Sequence, residues 1–133
     1  MAQAAATDTR PILVVDDDLD VREALMDTLT DHGFVVITAA NGLEALKLLA
    51  TMEVCPSVIL LDLMMPIMDG YGFLDTQQRD PRLAPIPVAI ITAGRGVDHR
   101  RLGASPPVVA KPINIAQLVT VLRRLQSAGG RSA

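Results

Sequence analysis

Hydrophobic residues come in short blocks along this chain, and polar stretches separate them. Five apolar runs stand out, at 11–15, 34–38, 57–61, 86–91 and 107–110. Continuous runs of branched aliphatic residues suit strands buried on both faces. Between them the pattern changes to helical spacing. Val21, Ala24, Leu25, Thr28 and Leu29 form one apolar face, and Gly33 is placed to cap that helix at its end. Asn41 and Glu44 read as a capping box ahead of Ala45, Leu46, Leu48 and Leu49. Asp69-Gly70 opens a shorter helix over 71–78, in which Gly72 weakens the first turn by roughly 1 kcal/mol. A loop with two prolines covers 79–85. Asn114 and Gln117 form another N-terminal cap pair, followed by Leu118, Val121, Leu122 and Leu125. Arg123 and Arg124 fall in that helix's expected last turns, where positive charge opposes the macrodipole.

Strand and helix therefore alternate. That order predicts an α/β fold: a five-stranded parallel sheet, doubly wound, with helices on both faces. The weak place is 93–105, which carries three glycines and only Val97 and Leu102 as large apolar residues. At most two helical turns are expected there, so the fourth helix is short or irregular. Residues 1–10 read as a flexible arm, 11–127 as the domain and 128–133 as a disordered tail begun by Gly129-Gly130.

Composition narrows the picture. Half of the 133 residues are hydrophobic, yet there are only two Phe, one Tyr and no Trp, so the core must be aliphatic. Net charge is −3 and no basic run exists, which argues against nucleic acid as a direct partner. No apolar stretch approaches the roughly 20 residues that span a bilayer. The N-terminus lacks the basic start and apolar block of a signal peptide. A lone cysteine, Cys55, has no partner for an internal disulfide, and with no histidine near it in sequence it reads as space-filling. These features point to the cytoplasm.

The chemistry lies where strands end. Parallel strands share one carboxyl edge, the edge where open α/β sheets place their ligands. Asp16 and Asp17 follow the first run, Asp62 the third, Thr92 the fourth and Lys111 the fifth. Three close carboxylates repel one another and stay ionised most easily around a cation. An all-oxygen set, without His or Cys, favours a hard ion such as Mg²⁺. Lys111 is a point charge for a carboxylate or a phosphoryl oxygen, and Thr92 offers a hydroxyl. Together they suit a phosphoryl group carried on Asp62. Singly, each residue has a plainer reading: Asp62 a turn residue, Thr92 a strand-end residue, Lys111 a solvated lysine. Asp18 and Asp20 are best read as helix-cap and dipole partners.

At this point a family comes into view. The segments V-V-D-D-D at 14–18, L-L-D-L-M-M-P-I-M-D-G at 60–70, I-I-T-A at 90–93 and A-K-P-I at 110–113 resemble those of response-regulator receiver domains, the phosphoacceptor modules of two-component signalling. The resemblance runs from about Ile12 to Leu125 and is highly specific as a set. It implies a flavodoxin-like strand order 2-1-3-4-5. It implies that Asp62 is phosphorylated and that Asp17 and Asp62 bind Mg²⁺ directly. Asp16 would act largely through water, and the backbone carbonyl of Met64 would be a further ligand. Thr92 and Lys111 would contact the phosphoryl group, with Ala93 keeping space open beside Thr92. A sensor histidine kinase or phosphotransfer protein would be the donor.

The chain departs from the family in one region. The position three before the lysine is usually aromatic, and here it is Val108. The interval from Thr92 to Lys111 is short. The expectation is a stand-alone receiver, monomeric or weakly dimeric, which promotes its own modification but is not an enzyme and signals through a partner protein. Two other readings stand beside it. One is a Mg²⁺-dependent phosphohydrolase working through an aspartyl-phosphate, although Met64 occupies the place where such enzymes carry a second Asp. The other is a degenerate receiver used only for binding.

Overall fold

The computed structural model describes residues 8–93, 97–102 and 106–130. Five strands, β1 (Ile12–Val15), β2 (Val36–Ala39), β3 (Val58–Asp62), β4 (Val88–Thr92) and β5 (Val108–Ala110), form one sheet in the order β2-β1-β3-β4-β5. Every pairing is parallel. The alternating faces of the strands build two aliphatic cores. Leu13, Val15, Ile59, Leu61 and Ile90 face α2 (Gly42–Thr51) and α3 (Gly70–Arg79). Ile12, Val14, Val58, Leu60 and Ile91 face α1 (Leu19–Asp31) and α4 (Ile115–Gly130). The fold is the doubly wound, flavodoxin-like one expected.

Caps set the helix starts as their residue types require. Asp18 accepts from the N–H groups of Asp20 and Val21, Asn41 from Glu44, Asp69 from Gly72 and Asn114 from Gln117. Glu44 answers by accepting the Ala40 N–H, one residue earlier than a strict capping box. Gly33, at φ +92°, ends α1 in the left-handed conformation that glycine allows.

The sequence boundaries shift for local reasons. Phe34 is not in β2, because its N–H still bonds back to the Leu29 carbonyl at the end of α1. β4 starts after Pro87, a residue with no N–H to give a ladder. Asp62 is the last residue of β3 itself. α4 continues to Gly130, past the boundary expected at 127, so Arg123 and Arg124 are not in its last turn. Arg123 instead bonds the His32 carbonyl and lies over the Phe34 ring, joining α4 to the end of α1. Between β4 and β5 the described residues contain one 3-10 turn, His99–Leu102, in place of an α-helix. The glycines at 94, 96 and 103, residues 1–7 of the arm expected at 1–10 and the last residues at 131–133 lie outside the described residues.

Candidate functional site

The carboxyl ends of β1, β3, β4 and β5 bring the expected residues to one edge. Asp16 directly follows β1 and is fully buried. One of its carboxylate oxygens accepts the Asp18 N–H at 2.9 Å, and the other accepts from Lys111 Nζ at 3.0 Å. Asp17, next to it, is exposed. Asp62 ends β3, buried between neighbours on both sides, and its Oδ1 accepts the Met64 N–H at 3.1 Å. Its Oδ2 lies 3.6 Å from Lys111 Nζ. Lys111 therefore bridges two aspartates and sits closer to Asp16 than to Asp62. Its own N–H donates to the carbonyl of Thr92, which fixes the end of β5 against the end of β4. Thr92 is buried in the strand beside Asp62. Met64 places its N–H toward the carboxylate while its side chain is largely exposed.

Electrostatics follow from this crowding. Burial pushes the Asp62 carboxyl above the ordinary aspartate range. The Met64 N–H works against that rise, the Asp16 charge adds to it, Lys111 opposes it, and Asp17 adds to it more weakly. For Lys111, burial disfavours the charge, yet its bond to Asp16 and the attraction of Asp62 outweigh burial and hold the ammonium above the usual lysine range.

Carboxylate oxygens from Asp16, Asp17 and Asp62 lie within 4.8 Å of one another. Three negative groups face a single ammonium, and one of them, Asp17, opens to solvent. Such a set, all hard oxygen donors with an excess of negative charge, fits a small divalent cation.

Two residues near the site were not singled out by sequence reasoning. Tyr71, at the start of α3, accepts the Asp98 N–H on its hydroxyl at 2.7 Å, and Arg101 lies 4.4 Å from its ring centre. Gly42, at the start of α2, donates its N–H to the Met68 carbonyl at 3.0 Å. Both contacts join segments distant in sequence, and only glycine's rarity within a helical stretch hinted at the second.

Fold and site define a doubly wound α/β module with a carboxylate cluster at its strand ends, and comparison with known proteins supplies its family. The chain matches the response regulator receiver domain family over residues 12–123. It belongs to that family. Transcriptional regulatory protein PrrA of Mycobacterium tuberculosis is 34% identical over 125 residues, covering 92% of this chain and 52% of that protein. A protein of Cyanidium caldarium named "Probable transcriptional regulator ycf27" is 36% identical over 124 residues, covering 87% of this chain and 47% of the relative. The chain thus spans about half the length of the curated relatives it matches. Among solved structures, the receiver domain of Francisella response regulator 1452 superposes with a TM-score of 0.78 at 26% identity, over 90% of this chain and 98% of that one. Membership places the chain among the receiver domains of response regulators. Among the described residues no helix is long and apolar enough to cross a membrane.

Proposed function

We propose that Asp62 accepts a phosphoryl group from a phosphohistidine on the partner, in a reaction that needs Mg²⁺. The observation that carries this is the meeting of three carboxylates within 4.8 Å with one lysine that bridges Asp16 and Asp62. In the transfer an Asp62 oxygen attacks phosphorus, the P–N bond breaks, and its electron pair returns to the imidazole, which takes up a proton. Asp17 and Asp62, with the Met64 carbonyl, would hold the ion, and Asp16 would act from behind them, since both its oxygens are already engaged. When bound, the ion neutralises charge on the aspartates and on the phosphoryl oxygens. Met64 holds Asp62 in position through its N–H, Lys111 would balance the added negative charge, and Thr92 would contact a phosphoryl oxygen with its hydroxyl.

The domain is a switch, not a turnover enzyme, and it acts in the cytoplasm through a partner protein. Relatives named as transcriptional regulators extend well beyond the matched half, so an output on nucleic acid would not have to use this domain's own surface, whose net charge of −3 is unfavourable for it. The 3-10 turn at His99–Leu102 is the element we assign to report the phosphorylated state, because Val108 is too small and too restricted at χ1 to act as a rotating ring. Incubation with a small acyl-phosphate donor and Mg²⁺ should give acid-stable, base-labile label on the wild type and none on Asp62→Asn. Undiminished label on that variant would sink the assignment.

A further inference from the structure

The loop between β3 and α3 has an unusual backbone. Ile67 adopts φ +70°, a left-handed conformation that a β-branched residue rarely accepts. Strain of this kind persists only where the surroundings hold it in place. Two hydrogen bonds come from within the loop region: Met68 N–H to the Pro66 carbonyl at 2.8 Å and Gly70 N–H to the Leu63 carbonyl at 3.0 Å. The third comes from elsewhere in the chain. Gly42, the first residue of α2, donates its N–H to the Met68 carbonyl at 3.0 Å. That N–H is one a helix start leaves without an internal partner, and the Asn41 side chain is already spent on Glu44. Space is as tight as the bond is short. A Cβ on Gly42 would lie 2.8 Å from Met68 Cγ and 2.9 Å from the Met68 carbonyl oxygen. Alanine is the better helix former, so the value of glycine here lies in the close contact.

We propose that Gly42 is a positioning residue for the phosphoacceptor: the start of α2 seats against Met68 and so fixes the loop that aims the Met64 N–H at Asp62. The loop then presents Met64 in one orientation to carboxylate and cation, and a helix about twenty residues upstream becomes part of the site's support. This rests on the reading of Asp62 as the acceptor and of the aspartates as Mg²⁺ ligands.

Gly42→Ala tests it. In metal-free protein, NMR should show the Met64 amide exchanging about tenfold faster than in wild type, and calorimetry should show Mg²⁺ binding about tenfold weaker. Thermal stability should fall as well, because a Cβ 2.9 Å from the Met68 backbone carbonyl oxygen forces helix and loop apart. Lower stability with wild-type Met64 exchange and wild-type Mg²⁺ affinity would reduce Gly42 to a packing residue and overturn the proposal. If the variant does not fold, the wild type decides: in metal-free protein the Gly42 and Met64 amides should exchange at matching rates, as parts of one opening unit, and a Gly42 amide that exchanges about tenfold faster than Met64 overturns it. A wild type that binds no Mg²⁺ would instead defeat the functional reading, and the metal-free exchange at Met64 would still judge the brace.

Discussion

Two connections leave neighbouring strands at the same edge of the sheet and are built in opposite ways. The loop after β3, residues 63–69, is tied at both ends and in the middle. Gly70 closes its neck on Leu63, Met64 bonds Asp62, and Gly42 bonds Met68. A Cβ on Gly70 would sit 2.6 Å from the Asp62 carbonyl oxygen, so strand and helix meet there with no slack. The connection after β4 has a single 3-10 turn among its described residues. Among the described residues Tyr71 takes the Asp98 N–H and lies under Arg101, while Leu102 is buried in the same cluster. On the proposed function, the contrast would give precision to the first loop and the reporting role to residues 97–102 of the second. A carboxylate that must meet phosphorus and a cation needs a fixed backbone. A segment that must report a charge of roughly −1.5 to −2 arriving nearby needs few bonds to lose.

The largest effect should come from removing Asp17, the exposed carboxylate proposed to hold the cation. Asp17→Ala should weaken Mg²⁺ binding and slow phosphoryl transfer at least about 100-fold, with the fold intact because Asp17 is exposed. Calorimetry and rapid-quench labelling read the two losses. Transfer at the wild-type rate in Asp17→Ala, or in excess chelator, would contradict the metal's role.

A smaller effect concerns the cost of the site. Burial holds the Asp62 carboxyl above its ordinary range, so the folded state resists its ionisation. The sign follows: the destabilisation is absent below the pKa of an unfolded aspartate, grows as pH rises toward the folded value, and is complete above it. Metal-free Asp62→Asn should therefore be more stable than wild type at neutral pH, by on the order of 1 kcal/mol, and the gap should close as the solution is acidified. Melting curves across pH measure this. A gap that widens toward acid pH would mean Asp62 is stabilised, not strained, by its surroundings.

The smallest effect probes strain in the stiff loop. Ile67 is 78% exposed and holds φ +70°. Ile67→Asn, a residue that tolerates this conformation, should stabilise the fold by about 1 kcal/mol without loss of phosphorylation. A drop in melting temperature would show that the isoleucine side chain supports the loop.

Most of this frame was readable in the chain. Branched aliphatic runs and helical spacing set the order of elements, and Asp18, Asn41, Asp69 and Asn114 marked helix starts because capping is a local interaction of a few residues. The strand-end set of Asp16, Asp17, Asp62, Thr92 and Lys111 followed from parallel topology alone. What could not be read depends on contacts across the fold. Lys111 pairs more closely with Asp16, at 3.0 Å, than with Asp62, at 3.6 Å. Arg82, in the loop after α3, donates to the carbonyls of Leu49 and Met52 at the end of α2, a cap supplied from about thirty residues away. Buried Gln77 holds that same loop through the Leu83 and Ile86 carbonyls. The tie of Tyr71 to Asp98 has no signature in spacing.

Amide hydrogen exchange on the wild type, with and without Mg²⁺ and a phosphate-mimicking metal fluoride, tests the division of labour most directly, with Tyr71→Phe as its companion. The ligand should change exchange most within residues 97–102 and least within 63–69. Tyr71→Phe, which loses the hydroxyl that holds Asp98, should already exchange faster at 97–102 without ligand, by about fivefold for a bond worth about 1 kcal/mol. Equal protection of 97–102 in both states, with the change falling in α1 or in the 63–69 loop, would contradict it.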